Sequence, residues 1–307
     1  MKAKVTNQVD DNAPRGSQID LDTQDIIDRY QKGSIKVMLD SIFPRGGPLY
    51  GTTRVTVRAQ GLNELSKAFP DPKCKFGRNQ LIVEADYVKC TKKPARFYDK
   101  ERGGEAPAKN ETCVQCEATP KTDQAEIVSL TVSLTGKFDD VYSSVPYRYY
   151  KPVLVEGIYP RYGPKDGDTV VQVWGKNFLD LGDDFRCNFG SRSTKAYYIN
   201  DNYIWCRAAQ SDVVDKPMPF SVSLNRQQNS LQTFSYWYYN DPQISKIEPD
   251  YGPMGGGTKI TLRGNNFHPF DYKLDINNSN DTFCNWGALG KSAATVLSST
   301  IAECVTP

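Results

Sequence analysis

His268 is the only histidine in the chain, so a hydrolase built on a Ser/His or Cys/His pair would have to use it. It stands in Asn266-Phe-His-Pro269, directly behind a block that recurs along the sequence, and reads as a loop residue. One imidazole excludes a His-rich metal site. A cysteine-only zinc site needs two paired clusters, and only Cys113-Val-Gln-Cys116 has that spacing. As a redox pair these two cysteines would belong on a strand-to-helix turn in a βαβ context, whereas they lie in a polar insertion. Asp275-Ile-Asn277-Asn-Ser279-Asn-Asp281 offers oxygen ligands at alternate positions, as a calcium loop begins, but it lacks the glycine at the sixth position. Trp286 stands where the bidentate glutamate belongs. The expectation is a protein that is not an enzyme, with no catalytic residues, no metal ligands and no cofactor.

Two kinds of residue keep a chemical reading. Eight cysteines, Cys74, Cys90, Cys113, Cys116, Cys187, Cys206, Cys284 and Cys304, are spaced as a disulfide framework, which implies an oxidising compartment. Asn110, Asn277 and Asn280 each head an Asn-x-Ser/Thr sequon in a polar loop and are the acceptors expected for N-linked glycans.

The elements that position these residues must be strands. The chain has 307 residues, with 18 Tyr, 13 Phe, 23 Gly and 19 Pro, as aromatic strands punctuated by Gly/Pro turns require. The length predicts several domains rather than one. Lys and Arg (38) nearly cancel Asp and Glu (36), so the net charge of +2 gives no field to gather nucleic acid or an anionic membrane. There is no apolar run of membrane-spanning length and the first residues lack a signal-peptide core. The sequence is therefore read as a mature product or an excised segment, attached to a membrane only through a segment outside it.

Three blocks line up. Val37-Met-Leu-Asp-Ser-Ile-Phe-Pro44-Arg-Gly-Gly47-Pro48 leads to Gly51-Thr-Thr-Arg-Val-Thr-Val57. Val153-Leu-Val-Glu-Gly-Ile-Tyr-Pro160-Arg-Tyr-Gly163-Pro164 leads to Gly167-Asp-Thr-Val-Val-Gln-Val173-Trp-Gly175-Lys-Asn177-Phe178. Ile244-Ser-Lys-Ile-Glu-Pro249-Asp-Tyr-Gly252-Pro253 leads to Gly255-Gly-Gly-Thr-Lys-Ile-Thr-Leu262-Arg-Gly264-Asn-Asn266-Phe267. Each predicts a strand ended by proline, a Gly-Pro turn and a second, half-buried strand. Downstream come Cys74-Lys-Phe-Gly77, Cys187-Asn-Phe-Gly190 and Cys284-Asn-Trp-Gly287, with a second cysteine 16, 19 and 20 residues later. That recurrence pairs Cys74 with Cys90, Cys187 with Cys206, and Cys284 with Cys304. For the first block the pairing stays open between a local Cys113–Cys116 bridge and an exchange with Cys74 and Cys90, with Cys74–Cys90 preferred.

These residues resemble the IPT/TIG family of immunoglobulin-like domains, whose pattern is Ile-x-Pro-x-x-Gly-Pro, Gly-Gly-Thr, a β-run, Gly-x-Asn-Phe, Cys-x-Phe-Gly and a later Cys. The second and third blocks meet it best. The first departs, with Gly61-Leu-Asn63 for Gly-x-Asn-Phe and an insertion from about Thr91 to Thr122. The resemblance implies an all-β chain of three tandem two-sheet immunoglobulin-like sandwiches. The expected layout is an extended N-terminal arm over 1–34 with a short helix near Thr23 to Lys32, then repeats at 35–151, 152–241 and 242–307, the last without its closing strands. Members of the family include plexin ectodomains, growth-factor receptor kinases, fibrocystin-like ciliary surface proteins and Rel-type transcription factors.

The function expected is an extracellular structural or adhesive rod, at the cell surface or the ciliary surface, that engages other proteins. Strand complementation by the arm residues Lys2, Ala3, Lys4, Val5, Thr6 and Val9 into the third repeat of a neighbour is expected to give self-association into a fibre. The alternatives are a plexin-like receptor stalk and a Rel-like DNA-binding protein. The last would need free thiols and a basic loop face.

Overall fold

The structure, a computed structural model, describes residues 21–77, 81–90, 111–139, 141, 143–268 and 282–307. The chain divides near Lys151 and Pro152 into two compact units. In the first, α1 (Leu21–Gln31) precedes β1 (Met38–Phe43), β2 (Gly46–Pro48), β3 (Val55–Gln60), α2 (Leu62–Ala68), β4 (Lys73–Phe76), β5 (Leu81–Lys89), β6 (Thr112–Cys116), β7 (Ile127–Ser133) and β8 (Val145–Tyr150). Strand order is β1-β3-β6-β5-β4-β7-β8-β2. β5 turns the corner, since Leu81 to Glu84 pair with β4 while Ala85 to Lys89 pair with β6. One strand thereby serves two sheets, which face each other across Val55, Val57, Phe76, Val114, Leu130 and Tyr147.

The short helix expected near Thr23 to Lys32 is α1, but it is docked on the first unit rather than part of an extended arm. Ile26 and Tyr30 of α1 pack on this core, and the Tyr30 ring lies 5.0 Å from that of Phe69 behind α2. The first 20 residues, with the assembly positions Lys2 to Val9, lie outside the described residues.

The second unit opens with the same plan. β9 (Leu154–Tyr159), β10 (Tyr162–Pro164), β11 (Val170–Lys176), β12 (Arg186–Phe189), β13 (Arg192–Asn200), β14 (Tyr203–Arg207), β15 (Pro217–Ser223) and β16 (Phe234–Tyr239) run in the order β10-β16-β15-β12-β13-β14-β11-β9. Strand for strand this is the order of the first unit. A further sheet follows from β17 (Gln243–Glu248), β18 (Lys259–Asn265), β19 (Phe283–Asn285), β20 (Lys291–Ser298) and β21 (Ile301–Val305), ordered β17-β18-β21-β20-β19. The first strand of each set runs into a cis X-Pro bond, at Pro44, Pro160 and Pro249. The fold is all-β and immunoglobulin-like, with α1 and α2 in the first unit.

All eight cysteines are bridged. Cys187–Cys206 and Cys284–Cys304 join the sheets as the sequence predicts, each with Cα atoms 6.4 Å apart. The preferred Cys74–Cys90 bridge and the local Cys113–Cys116 bridge are both wrong. Cys74 joins Cys116, and Cys90 joins Cys113. The register gives the reason. Cys116 lies opposite Val55 of β3, as Cys206 lies opposite Val171 and Cys304 opposite Ile260. Cys116 is thus the counterpart of the later cysteines, and the insertion between β5 and β6 carries it 42 residues from Cys74. Cys90 and Cys113 staple the two ends of that insertion.

Candidate binding surfaces

The Gly-Pro turn is held by a contact between three residues. A Cβ on Gly47 would strike the hydroxyls of Tyr147 and Thr53, and one on Gly163 would strike those of Tyr236 and Thr169. Glycine is required there because β2 and β10 run parallel to β8 and β16, which bring those tyrosines in beneath the turn. Burial pushes the Tyr147 phenol up to about 12, against the opposing effect of the Thr53 and Thr119 hydroxyls. Burial raises Tyr236 likewise, against the Thr169 hydroxyl. In the third set the nearest atoms to a Cβ on Gly252 are all those of Thr258, with no tyrosine hydroxyl among them.

Gly-x-Asn-Phe also has a mechanical role. Asn177 and Asn266 take left-handed backbone conformations, with φ of 65° and 60°, which asparagine tolerates better than most residues. Their Nδ2 atoms donate to the carbonyls of Pro152 and Asp241, at 2.9 and 3.0 Å, so each loop clamps the strand entering its own sandwich. The next residues, Phe178 and Phe267, fall into the cores. In the first unit Gly61 takes the left-handed position and starts α2, which accounts for its departure from the pattern.

An aromatic patch covers the outer face of the second sandwich. Tyr197 and Trp205 are cross-strand partners on β13 and β14, stacked with ring centroids 4.0 Å apart and planes 6° from parallel. Trp174 of β11 lies opposite Tyr203, and its indole occupies the space that a side chain on Gly157 would need. Lys195 approaches the Tyr197 ring, and the Arg207–Asp168 and Lys176–Glu156 pairs complete the charged residues nearby. By register Trp174, Tyr197 and Trp205 correspond to Arg58, Asp86 and Gln115 in the first unit and to Arg263, Thr295 and Glu303 in the last sheet. Those faces are polar: Arg58 pairs with Glu111, Lys259 with Glu303, and Arg263 with Glu248. Partly exposed, rigid aromatic rings among charged groups are what protein contacts are built from.

Two aromatic runs stand in the sequence, Tyr197-Tyr198 and Tyr236-Trp-Tyr-Tyr239. The structure exposes Tyr197 and Tyr198 but buries Tyr236 and Tyr238. Trp174 and Trp205 were missed, although alternation in Val171-Gln-Val-Trp174 already puts the indole on the outer face with Gln172.

His268 Nε2 lies 3.2 Å from a carboxylate oxygen of Asp215 on the surface. Among the described residues no group of three or more His, Cys, Asp or Glu is placed to hold a metal ion. The candidate calcium loop and the sequon residues Asn110, Asn277 and Asn280 lie outside the described residues.

Residues 152–236 and 242–307 both match the IPT/TIG domain. Human plexin-A4 is 28% identical over 226 residues, covering 74% of this chain, and mouse plexin-A4 is 27% identical over 226 residues with the same coverage. Human plexin-A3 is 25% identical over 244 residues. The chain spans 11% of the length of these curated relatives. Of solved structures, the full extracellular region of plexin A4, domains 1 to 10, covers 89% of this chain at 20% identity with a TM-score of 0.44, the chain covering 21% of it.

Proposed function

We propose that this chain is a stretch of the extracellular stalk of a plexin-like cell-surface receptor, a non-enzymatic run of immunoglobulin-like domains that carries protein contacts. The observation that carries the reading is the 226-residue similarity to plexin-A4 at 28% identity, which extends beyond either IPT/TIG segment. Four disulfides with no free thiol support an oxidising compartment and speak against a Rel-like intracellular role. Among the described residues no helix is long and apolar enough to cross a membrane. In this reading residues 35–151 are a divergent first copy, with its strand order and its Gly47, Thr53 and Tyr147 contact as support, followed by copies at 152–241 and 242–307. Asn110, Asn277 and Asn280 are the glycan acceptors, with only one of the neighbouring pair Asn277 and Asn280 occupied at a time because two sugars would collide, and the Trp174, Tyr197 and Trp205 face of the second copy is the protein-contact surface.

The test is secretion of the chain from cultured animal cells, followed by non-reducing peptide mapping and light scattering. A monomer bridged at Cys74–Cys116, Cys90–Cys113, Cys187–Cys206 and Cys284–Cys304 is expected. Free thiols at these positions would remove the extracellular reading. A concentration-dependent polymer would replace the stalk with the fibre.

A further inference from the structure

His268 joins the last sheet to the second sandwich. It follows Phe267 in the Asn-Phe loop behind β18, where the corresponding residue behind β11 is Leu179. The loop is fixed on its own side, since the Phe267 N–H donates to the Ser299 carbonyl at 3.0 Å and the Phe267 ring is buried. Asp215, the partner of His268 at 3.2 Å, lies between β14 and β15 in a left-handed conformation with φ of 58°. The Asp215 N–H donates to the Tyr238 carbonyl at 2.9 Å, so this loop is tied to the end of β16. Asn266 Nδ2 holds the Asp241 carbonyl from the other side. The chain passes from β16 to β17 through Asn240, Asp241 and Pro242, and these contacts form a ring around that short connection. Between them lies a cleft of about 310 Å³, lined mainly by the polar residues Asn240, Asn265, Asn266, Ser299 and Thr300. With little apolar packing across such a joint, one charge pair weighs in its opening.

We infer that the His268–Asp215 pair is a proton-operated latch, which holds the last sheet against the second sandwich on acidification and lets the joint open more readily at neutral pH. An imidazole beside a carboxylate forms an ion pair in the window between the ordinary pKa values of the two groups, about 4 to 6.5. Above that window the imidazole is neutral and offers at most one hydrogen bond. Among the described residues, Tyr239 is the other titratable group lining the cleft, and burial together with the nearby Asp241 pushes its phenol up, so it stays neutral throughout. Asp241 carries the same sign as Asp215 and so does not oppose the latch. The other described residues that share a cavity wall with the imidazole are uncharged. Both partners are partly exposed, with side chains at 38% and 59%. Solvent therefore limits the effect to about two- to fivefold in the opening equilibrium and makes it sensitive to salt. The inference does not depend on the stalk reading.

The test uses the 307-residue protein. Hydrogen exchange of residues 213–216 and 239–241 is followed from about pH 7.5 to about pH 5.5, corrected for the intrinsic pH dependence of amide exchange. Protection about two- to fivefold greater at the acid end is expected. Because the chain has one histidine, its imidazole gives a single C2–H resonance by NMR, and protection should rise along the titration of that signal. Amides of Val171 and Val173 in the β11 core serve as the internal reference and should hold steady. His268→Gln and Asp215→Asn should each remove the acid-induced gain without disturbing that reference, since neither side chain is buried. Salt at about 1 M should flatten the gain in the unaltered protein. A gain that survives either substitution, departs from the imidazole titration or appears equally in β11 would overturn the inference. So would a joint that loosens, or does not change, on acidification.

Discussion

Ile158 and Ile247 occupy the same place in the same sequence block, two residues before a proline and facing inward from the first strand of a sheet. One is sealed in a core and the other stands 41% exposed. The local structure is nearly indifferent to this. β9 and β17 pair with β11 and β18 through the same register, each with a shift near its start, and Asn177 and Asn266 close both loops in the same way. The block therefore specifies its own strand, turn and strand, whereas its burial is set by strands that arrive much later in sequence. Propensity and turn chemistry are local terms here, and the hydrophobic term is not.

The sharpest way to break that comparison is to truncate the two isoleucines. Ile158→Ala should cost about 2–5 kcal/mol through loss of apolar burial and the cavity left behind. Ile247→Ala should cost about 1 kcal/mol or less, as an exposed site does. Hydrogen exchange read separately in β11 and β18 measures both in the intact chain, and equal costs would mean that the third core is closed in solution. Next come the glycines beneath the turn. Gly163→Ala forces a methyl against the Tyr236 and Thr169 hydroxyls and should destabilise the second sandwich by about 1–3 kcal/mol. Gly252→Ala meets Thr258 first, with no tyrosine hydroxyl among its nearest atoms, and should cost less, as urea unfolding of each variant can show.

Two smaller effects refine the picture. Asn177→Ala loses its bond to the Pro152 carbonyl and keeps an unfavourable left-handed backbone, for a loss of about 1–2 kcal/mol. Asn177→Gly should recover part of this in the same urea series. The last effect concerns pH. Tyr147 is held neutral in the fold, with its pKa raised by burial to about 12, and Tyr236 is raised in the same direction. A raised folded value means that stability is full below the ordinary phenol pKa of about 10 and is lost as pH climbs through the folded value. The first two sandwiches should therefore loosen in alkali, with phenolate absorbance appearing together with unfolding. The third has no buried tyrosine among its described residues and should respond least.

Much of the architecture was legible because its signals are local. Proline and glycine mark the turns, and alternation such as Val171-Gln-Val173 marks the inward face. The Cys187 and Cys284 pairings followed from that repeat. The first-unit pairing failed because counting residues from Cys74 ignores where an insertion falls. A better signal was the approach to the cysteine, with Val114, Ile204 and Ala302 all buried two residues before Cys116, Cys206 and Cys304. The docking of α1 was not legible either, since the contact rests on little more than Ile26 and Tyr30. The aromatic face had its residues in plain view, but the Tyr197–Trp205 stack depends on a hairpin register that no composition reveals.

The exchanged cysteines of the first unit form nested rings, with the Cys90–Cys113 bridge lying wholly inside the span closed by Cys74–Cys116. Any cut between Cys90 and Cys113 therefore leaves two fragments still joined through both bridges. The stretch holds Lys92, Lys93, Arg96, Lys100 and Arg102, so it offers trypsin-like proteases many sites. Cleavage there severs the peptide chain without severing the molecule. On a gel it shows as one band until a reductant is added and as two afterwards, and β5 and β6 remain tethered in register throughout.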